Sequence, residues 1–487
     1  MNPSSYARLP ERFYARVEPT RVSAPAVVKL NQSLAAGLDL DLSGLDAAAL
    51  AQLFSGNVLQ RGTVPIAMAY AGHQFGHFVP QLGDGRAIML GESRDRAGVA
   101  RDIQLKGCGR TPFSRNGDGR AALGPVLREY LVSEAMHALG IPTTRSLAAV
   151  TTGESVQREA TMPGAILTRV AASHVRVGTF EYFAARGDIA GTRILADYVI
   201  ERHYPHCAED KNPYLRLLEQ VVSRQASLVA GWMHVGFIHG VMNTDNMAVS
   251  GETIDYGPCA FMDTYDPAAV FSSIDEGGRY AYANQPHAAV WNLARFAETL
   301  LPLIDGDPQR TVDAATEVIS TFETLYADCW LAGMRRKLGL AAPEPGDRQL
   351  AEDLLEAMHR HQADFTQTFR QLCAAARDPR DDAPLRGLFA NGAGYDDWAR
   401  RWRARTASEP TTPAARAESM QQANPAYTPR NHRIEQMIAA ALEHGDFGPF
   451  EELSQVLSEP YVERAAFNAY RNPPQPNERV LQTFCGT

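Results

Sequence analysis

The order of two hydrophobic patterns along the chain constrains its fold more than any other feature. Between about residues 65 and 165, apolar and polar residues alternate as in strands, clearly so in AIMLGE (87–92) and DIQLKG (102–107). One helical pattern, GPVLREYLVSEAMHALG (124–140), interrupts them and ends at a glycine followed by a proline. From about 190 to 400 the pattern is mainly helical. This order predicts an α+β fold with a β-rich part ahead of a helical part.

The remaining segments complete the division of the chain. The first 60 residues mix short helical patterns with proline-marked turns, which predicts an N-terminal extension. Residues 405–430 are rich in proline, alanine and polar residues, which predicts a linker or extended excursion before a helical tail. The stretch NMAVSGETID is typical of two short strands around a Ser-Gly turn. The predicted units are 1–60 (extension), 61–165 (β-rich), 166–404 (helical) and 405–487 (linker and C-terminal helical region).

Composition excludes several classes of function. The chain has 487 residues and a formal net charge of −9, which argues against a general nucleic-acid binder. Its six cysteines show no CxxC or other metal-ligand spacing, so reduced thiols are expected. The N-terminus lacks the apolar segment of a secretory signal, and the best membrane-span candidate contains Arg295 and Glu298. We therefore expect a cytoplasmic protein with neither a membrane nor a nucleic acid as partner.

The stretch HGVMNTDNMAVSGETIDYG (239–257) is similar to a protein-kinase catalytic loop that lacks one residue. Such loops carry His, any residue, Asp, four residues and Asn, in which the Asp takes the substrate's proton and the Asn holds a metal ion. His239 and Asn246 have this separation, but Val241 occupies the Asp position. An inactive kinase, a chance resemblance and a site rebuilt for other chemistry all fit this pattern.

Three residues of this stretch are candidates for chemistry. Asn246 and Asp255, which opens the DFG-like DYG, offer hard oxygen ligands of the kind that magnesium takes. Asp245 is the nearest replacement for the missing base, since a carboxyl of pKa about 3.9 is ionised unless strongly desolvated. Asp-Asn is also a common turn pair, so both a base and a structural role fit Asp245.

The tetrapeptide GDGR occurs twice, at Gly83–Arg86 and at Gly117–Arg120. Glycines let backbone N–H groups approach a phosphate closely, and a neighbouring arginine adds a charged bidentate donor. Two Asp-Gly turns between strands are the simpler explanation of either copy.

Further charged residues are candidates for phosphate binding. Lys106 ends the strand DIQLK, where kinase-like folds place a phosphate-binding lysine that pairs with a helix glutamate. Glu129 lies on the following helix, and Glu134 is the competing partner on a different helix face. Arg169 and Arg176 together would grip a polyphosphate, whereas surface or salt-bridged arginine is the more frequent case.

Four long stretches together resemble the selenoprotein O family, whose bacterial members are described as protein nucleotidyltransferases or adenylyltransferases. The resemblance runs from about residue 6 to the C-terminus. The stretches are AYAGHQFGHFVPQLGDGRAIMLGE, DIQLKGCGRTPFSRNGDGRAALGPVLREYLVSEAMHALGIPTTRSLA, HGVMNTDNMAVSGETIDYGPCAFMD and NPAYTPRNHRIEQMIAAA.

The resemblance implies a protein-kinase-like bilobal pseudokinase fold, with a β-rich N-lobe and a helical C-lobe, that binds ATP in a flipped orientation. AMP would then pass to Ser, Thr or Tyr hydroxyls of target proteins with release of pyrophosphate, and some members are described as using UTP for uridylylation. The implied nucleotide-binding residues are Gly83, Gly85, Arg86, Lys106, Asp118, Gly119, Arg169, Arg176 and Asp255. By the same resemblance, Asn246 and Asp255 bind magnesium or manganese, Asp245 is the proton acceptor and Glu129 orders the lysine.

One position departs from the family. Members often carry a cysteine after the DYG segment that forms a regulatory disulfide with a cysteine near the C-terminus. Cys485 is present, but Ser272 aligns with the loop cysteine, so this redox lock is not expected. Cys259 is an alternative partner that nothing in the sequence specifically supports.

The sequence leaves three functions to compare. AMP transfer is the leading hypothesis. An atypical kinase with a rearranged loop would move the γ-phosphoryl group instead, and a nucleotide-binding scaffold would catalyse neither reaction.

Overall fold

Strands and helices follow one another along the chain in the order that the hydrophobic patterns predict. The computed structural model describes residues 1–38, 40–389 and 392–484. The α+β class is confirmed, because a mixed set of strands and helices is followed by a region that is almost entirely helical. The strands are β1 (Tyr14–Arg16), β2 (Ala26–Leu30), β3 (Ile66–Met68), β4 (Gly72–Gln74), β5 (His77–Val79), β6 (Ala87–Arg94), β7 (Ala100–Lys106), β8 (Ala121–Ala122), β9 (Arg145–Gln157), β10 (Thr161–Ala171), β11 (Phe237–Ile238) and β12 (Ala260–Phe261).

The helices are concentrated after β10. They are α1 (Gln32–Gly37), α2 (Ala47–Phe54), α3 (Leu123–Ala138), α4 (Val177–Ala184), α5 (Ile189–His203), α6 (Pro213–Val235), α7 (Gln285–Ile304), α8 (Pro308–Leu338), α9 (Asp347–His361), α10 (Phe365–Arg377), α11 (Asp382–Arg386), α12 (Ala393–Ala407), α13 (Pro413–Ala423), α14 (Asn431–His444) and α15 (Gly448–Leu457).

The main sheet has eight strands, seven of them in the order β1-β3-β6-β7-β10-β9-β2, with β8 beside β10. Neighbouring strands run antiparallel. Both edge strands come from the first 30 residues, so the segment expected as an extension is part of the sheet. The central strands β7 and β10 carry the polar side chains that build the site described below.

Helix α3 packs on this sheet with many buried apolar side chains. Leu127 and Met136 are completely buried, and truncating such a leucine to alanine typically costs about 2–5 kcal/mol. The helix ends where Gly140 adopts a φ of 79°, as the Gly-Ile-Pro stop predicts.

The C-terminal helices cover the other side of α3. Arg128 forms an ion pair with Glu435 of α14, and the ring of Tyr130 lies 5.6 Å from that of Phe450 on α15. The hydroxyl of Tyr461 donates to the carbonyl of Leu139 at 3.0 Å. Helix α3 is therefore held between the sheet and the last 60 residues of the chain.

Two local predictions are wrong. NMAVSGETID (246–255) follows a 3₁₀ turn that ends at Asn246 and forms isolated bridges with other segments. Its two halves do not pair, because the N–H of Val249 donates to the Val175 carbonyl and the N–H of Thr253 donates to the Pro142 carbonyl. The expected linker at 405–430 contains α13, in which Ala417 and Met420 are completely buried. Its small apolar residues pack against α10, which the composition alone did not indicate.

The helical region contains a buried lysine and a short bridge to the C-terminal segment. Lys337 of α8 is only 2% exposed, and its ammonium lies 4.0 Å from the centroid of the Phe369 ring. Ser272 forms a parallel bridge with Thr483, whose N–H donates to the Phe271 carbonyl at 2.6 Å. Cys485, for which a redox role was considered, lies outside the described residues. Among the residues that the structure describes, no helix has the length and apolar character needed to cross a membrane.

Candidate active site

Asp255 lies at the centre of a buried cluster of charges. Its Oδ1 accepts from Lys106 Nζ at 2.8 Å and from Arg169 Nη1 at 2.6 Å, and its Oδ2 accepts from Arg176 Nη1 at 2.6 Å. Lys106 also donates to Glu129 Oε2 at 2.6 Å, and Arg169 to Glu129 Oε1 at 3.2 Å. Three cations therefore surround the two carboxylates of Asp255 and Glu129.

The register of the sheet brings these residues together. Lys106 pairs with Leu167 and Gln104 with Arg169 on the adjacent strands β7 and β10. Alternate residues of a strand point to the same face, so Lys106 and Arg169 lie diagonally on one face. Gln104 Oε1 accepts from Arg169 Nη2 at 2.6 Å and holds the guanidinium in place. Glu134 instead binds Arg145 at 2.7 Å, so the structure pairs the lysine with Glu129 and not with its competitor.

The cations keep Asp255 ionised. Burial by itself raises the pKa of a carboxyl, but the charges of Lys106, Arg169 and Arg176 outweigh it and hold the pKa of Asp255 well below its usual value.

The backbone at Asp255 is in the left-handed region, with a φ of 62°. An L-residue there costs about 1–2 kcal/mol, and such strain is concentrated at functional sites. His239 supports the segment, since Nε2 lies 2.9 Å from the Ile254 carbonyl while the N–H of Val241 donates to Nδ1. The histidine of the motif is thus a structural link between the two halves of the loop.

Asp245 lies in the 3₁₀ turn Thr244–Asn246 and is only 8% exposed. Its Oδ1 has no hydrogen-bond partner among the described residues, and its Oδ2 lies 3.5 Å from Gln74 Nε2. Arg176 Nη1 donates to the Asp245 carbonyl at 2.7 Å and so links this residue to the Asp255 cluster. Burial raises the pKa of Asp245 to about 7, although the Arg176 charge opposes the rise. A carboxyl with such a pKa is suited to general-base catalysis near neutral pH.

The hairpin of β4 and β5 covers Asp245. A Cβ at Gly72 would lie 2.8 Å from Asp245 Oδ1, so only glycine fits here without displacing the carboxylate. The N–H of His73 donates to Thr244 Oγ1 at 2.7 Å, and the N–H of Phe75 to Asn243 Oδ1 at 3.0 Å. Sequence reasoning missed this hairpin, whose only signal is a run of turn-forming glycines (AYAGHQFGHF) far from the catalytic loop in sequence.

Asn246 is oriented by the residue that replaces the kinase aspartate. Its Nδ2 donates to the Val241 carbonyl at 2.9 Å, which leaves its Oδ1 available as a ligand. Asp255 Oδ2 accepts one charged donor and has a lone pair to spare. No cluster of three or more His, Cys, Asp or Glu within the described ranges is placed to hold a metal ion. An amide oxygen and a carboxylate oxygen are ligands of the kind that magnesium takes, and this ion uses few protein ligands and fills its shell with phosphate and water.

The first GDGR segment owes its glycines to packing. A Cβ at Gly83 would lie 2.4 Å from the Phe113 ring, and one at Gly85 would lie 2.9 Å from the Phe113 carbonyl. The N–H groups of Asp84 and Gly85 already donate to backbone carbonyls, which removes them as phosphate donors. The half-buried Arg86 forms no ion pair with the described carboxylates. Its guanidinium is therefore the group of this segment that could bind an anion.

Asp84, which the sequence analysis did not select, belongs to the cluster. It is buried, accepts from Gln104 Nε2 at 3.2 Å and lies 3.9 Å from Arg176. Tyr70 was also missed, and its ring centroid lies 4.7 Å from the Arg176 guanidinium.

The second GDGR segment lies apart from this cluster. Asp118 is 45% exposed at its side chain and binds Arg158 at 2.9 Å, and a Cβ at Gly119 would lie 2.1 Å from the Gly109 carbonyl. No hydrogen bond or ion pair within the described part of the chain joins Asp118 or Gly119 to Asp255. The structure therefore brings together Lys106, Glu129, Arg169, Arg176, Asp245 and Asp255, with Asn246 beside Asp245, but not Asp118 and Gly119.

Comparison with known proteins identifies the family. The family model described as protein adenylyltransferase SelO matches residues 2–458. A protein of Bradyrhizobium sp. (strain BTAi1) named protein nucleotidyltransferase YdiU is 62% identical over 484 residues, which are 99% of this chain and 98% of that protein. Proteins of the same name from Rhodopseudomonas palustris (strain TIE-1) and Rhizobium etli (strain CIAT 652) are each 60% identical over 99% of this chain and 98% and 97% of their own. The chain therefore belongs to the SelO family of protein adenylyltransferases and is an enzyme of the nucleotidyltransferase class.

Proposed function

We propose that this enzyme transfers AMP from ATP to Ser, Thr or Tyr hydroxyls of target proteins and releases pyrophosphate. The observation that carries the proposal is that Asp245 lies beside the Asp255 cluster. Arg176 joins the two, because it donates both to the Asp245 carbonyl and to Asp255 Oδ2. A base with an unpartnered carboxylate oxygen thus lies beside a group of cations suited to a polyphosphate.

The cations of the cluster bind and orient the nucleotide. Lys106, Arg169 and Arg176 offer the charge for the phosphates, and Glu129 holds the lysine in place. Arg86 adds a guanidinium from the first GDGR segment. By family resemblance alone we extend the nucleotide site to Gly83, Gly85, Asp118 and Gly119; for Asp118 and Gly119 this requires the nucleotide to reach beyond the cluster.

Asn246 Oδ1 and Asp255 Oδ2 would hold magnesium or manganese. When bound, that ion supplies charge neutralisation for the departing pyrophosphate. The chain's own cations act in the same direction, since Lys106 and the two arginines favour negative charge on the phosphates.

Asp245 takes the proton of the attacking hydroxyl. As the bond from the hydroxyl oxygen to the α-phosphorus forms, the bond from the α-phosphorus to the bridging oxygen breaks and pyrophosphate leaves with its electron pair. The proton moves to the carboxylate of Asp245, whose pKa of about 7 is close to the working pH. The hairpin over this residue limits its contact with water.

The arrangement supports a protein-kinase-like bilobal pseudokinase fold, with residues 61–165 as N-lobe, 166–404 as C-lobe and 405–487 as a C-terminal region. The contacts that support it are the strand lysine bonded to a helix glutamate and the DYG aspartate beside an Asn-containing loop. The same phosphate contacts would accept UTP, so we include uridylylation as a second reaction. The cytoplasmic location and the absence of a nucleic-acid partner stay predictions of the sequence.

Incubation of the purified protein and a cell extract with ATP labelled at the α- or the γ-phosphate tests the proposal. Protein labelled only from the α-position supports AMP transfer. Label from the γ-position would instead support a kinase, and label from neither would support a scaffold.

Two variants test the assignment of residues. Asp255→Ala should abolish metal-dependent transfer, because it removes the carboxylate assigned to the metal and leaves three cations without their central partner. Normal turnover by this variant would refute the metal assignment. Asp245→Ala should lose transfer while it retains nucleotide binding, and a loss of binding would point to a structural role.

A further inference from the structure

A guanidinium that has no carboxylate partner among the described residues, that of Arg279, lies at the tip of the hairpin that covers Asp245. At this tip Phe75 and Gly76 both have positive φ, 50° and 86°. A Cβ at Gly76 would lie 3.5 Å from Arg279 Nη1. The same hairpin that closes over the base therefore ends against Arg279.

Aromatic rings hold Arg279 in place. Its guanidinium lies 4.8 Å from the ring centroid of Trp291 and 5.8 Å from that of Tyr280. Tyr280 in turn donates its hydroxyl to Asn243 Oδ1 at 2.8 Å, and its ring lies 5.2 Å from that of Phe75. These contacts connect Arg279 to the catalytic loop two residues before Asp245.

The charge of Arg279 has no carboxylate partner within the described residues. Asp275 is turned into its own loop, where it accepts the backbone N–H groups of Arg279 and Tyr280 at 2.9 and 2.8 Å. Arg295 provides a contrast: it also lies over Trp291, at 5.1 Å, but its charge is paired with Glu298 at 2.6 Å. A half-buried arginine stacked on an indole and free of an ion pair is poised to bind a planar anion.

We propose that Arg279 binds a carboxylate of the target protein, so that the enzyme prefers hydroxyls with an Asp or Glu close by in the acceptor segment. This inference rests on the proposed function, which requires a protein hydroxyl to reach Asp245. An acceptor segment that enters beside the hairpin passes its tip, where a carboxylate meets Arg279 and apolar residues meet the exposed ring of Phe78. A bidentate carboxylate contact fixes the register of the segment as well as adding affinity.

Binding of labelled peptides tests the preference without any turnover. The probes are two fluorescein-labelled decapeptides with a central Ser flanked by Glu on both sides or by Gln on both sides. Their affinities are measured by anisotropy for the full chain with α,β-methylene ATP, whose Pα–Pβ linkage resists transfer. We expect the Glu peptide to bind about tenfold more tightly. Equal affinities would overturn the proposal.

Matched variants locate the contact. Arg279→Gln should remove the preference, whereas Arg295→Gln, which loses a charge that is already paired, should keep it. Arg279→Glu should reverse it in favour of a Lys-flanked peptide, a result that misfolding cannot produce. An Arg279→Gln protein that keeps the preference but binds ATP more weakly would assign the guanidinium to the nucleotide and overturn the proposal.

Transfer of α-label to the same peptides separates this inference from the proposed function. Preferential binding without any AMP transfer would refute the function and leave the carboxylate contact standing. Equal transfer to the Glu and Gln peptides would support the function and refute the contact.

Discussion

Replacing Asp245 with asparagine should lower catalysis and raise stability. Burial of this carboxylate raises its pKa, which suits a general base, but a buried charge destabilises the folded protein. A rise in pKa from the ordinary 3.8 to about 7 means that the folded protein holds the Asp245 proton over a range in which the unfolded chain has released it. Above pH 7 the folded state carries a buried charge, and the corresponding cost is at most about 4 kcal/mol. Asparagine keeps the shape of the side chain and removes that cost.

The sign and the pH window of the effect follow from the two pKa values. Below about pH 3 the carboxyl is protonated in the folded protein and largely protonated in the unfolded chain, so wild type and Asp245→Asn should be close in stability. Between pH 4 and 7 the wild type loses stability relative to the variant, and above pH 7 the difference is constant. For a chain of 487 residues with an unfolding entropy of about 2.1 cal/mol/K per residue, 4 kcal/mol shifts Tm by about 4 °C.

Thermal unfolding of both proteins at pH 5 and pH 8.5, together with AMP transfer at pH 7.5, measures the two effects. The advantage of Asp245→Asn in Tm should grow by about 2–3 °C between these pH values, while its transfer falls by about 100-fold or more. Asp102→Asn is the matched control, since Asp102 is equally buried but Arg202 donates to it at 2.7 Å and lowers its pKa. That variant should lose about the same stability at both pH values, because a carboxyl whose pKa is lowered in the folded state is ionised in the folded and the unfolded protein at pH 5 and above. A Tm advantage of Asp245→Asn that is the same at both pH values would refute the reasoning.

Three further predictions use the surroundings of the site. Glu129→Gln should weaken ATP binding and transfer by about tenfold or more, since it removes the carboxylate that holds Lys106 in place. Glu134→Gln, five positions along the same helix, should change ATP binding little, and titration calorimetry compares the two variants. Gly72→Ala should lower kcat with little change in ATP affinity, because the added methyl would lie 2.8 Å from Asp245 Oδ1 and displace the carboxylate. Steady-state kinetics measures kcat, and an unchanged kcat would contradict this contact. Lys337→Met should raise Tm at pH 6 more than at pH 10. Burial lowers the pKa of Lys337 to about 7, so the folded wild type carries the buried charge only below that pH. An equal rise in Tm at both pH values would be inconsistent with a buried titrating amine.

The local parts of the site could be predicted from the sequence. Lys106 ends an alternating strand and Glu129 follows on the next helix, and the kinase-like order of strand lysine and helix glutamate indicated this pair; in the structure Lys106 binds Glu129, whereas Glu134 binds Arg145. The order of strands and helices could be predicted equally well, since each strand or helix depends on residues that are close together in the chain.

Contacts between distant segments could not be predicted in the same way. The hairpin at 72–79 covers Asp245, although Gln74 and Asp245 are 171 residues apart in sequence. Neither segment carries a pattern that predicts contact with the other. The two GDGR segments share four letters but differ in surroundings: the first packs on Phe113 beside the cluster, and the second ends in an ion pair with Arg158. Helix α13 was hidden because prolines and polar residues around it obscured a short buried face.

The hold of the C-terminal helices on α3 has a consequence for the newly made protein. The residues that support the helix of Glu129 from behind, Glu435, Phe450 and Tyr461, lie more than 300 positions after Glu129 and are therefore synthesised much later. Arg430 and Asn431, which bind Asp263 and the backbone of Phe261 beyond the DYG segment, also come late. All strands of the main sheet are therefore synthesised well before the residues that hold α3 and the segment after DYG in place, and a chain cut before residue 430 would lack these contacts.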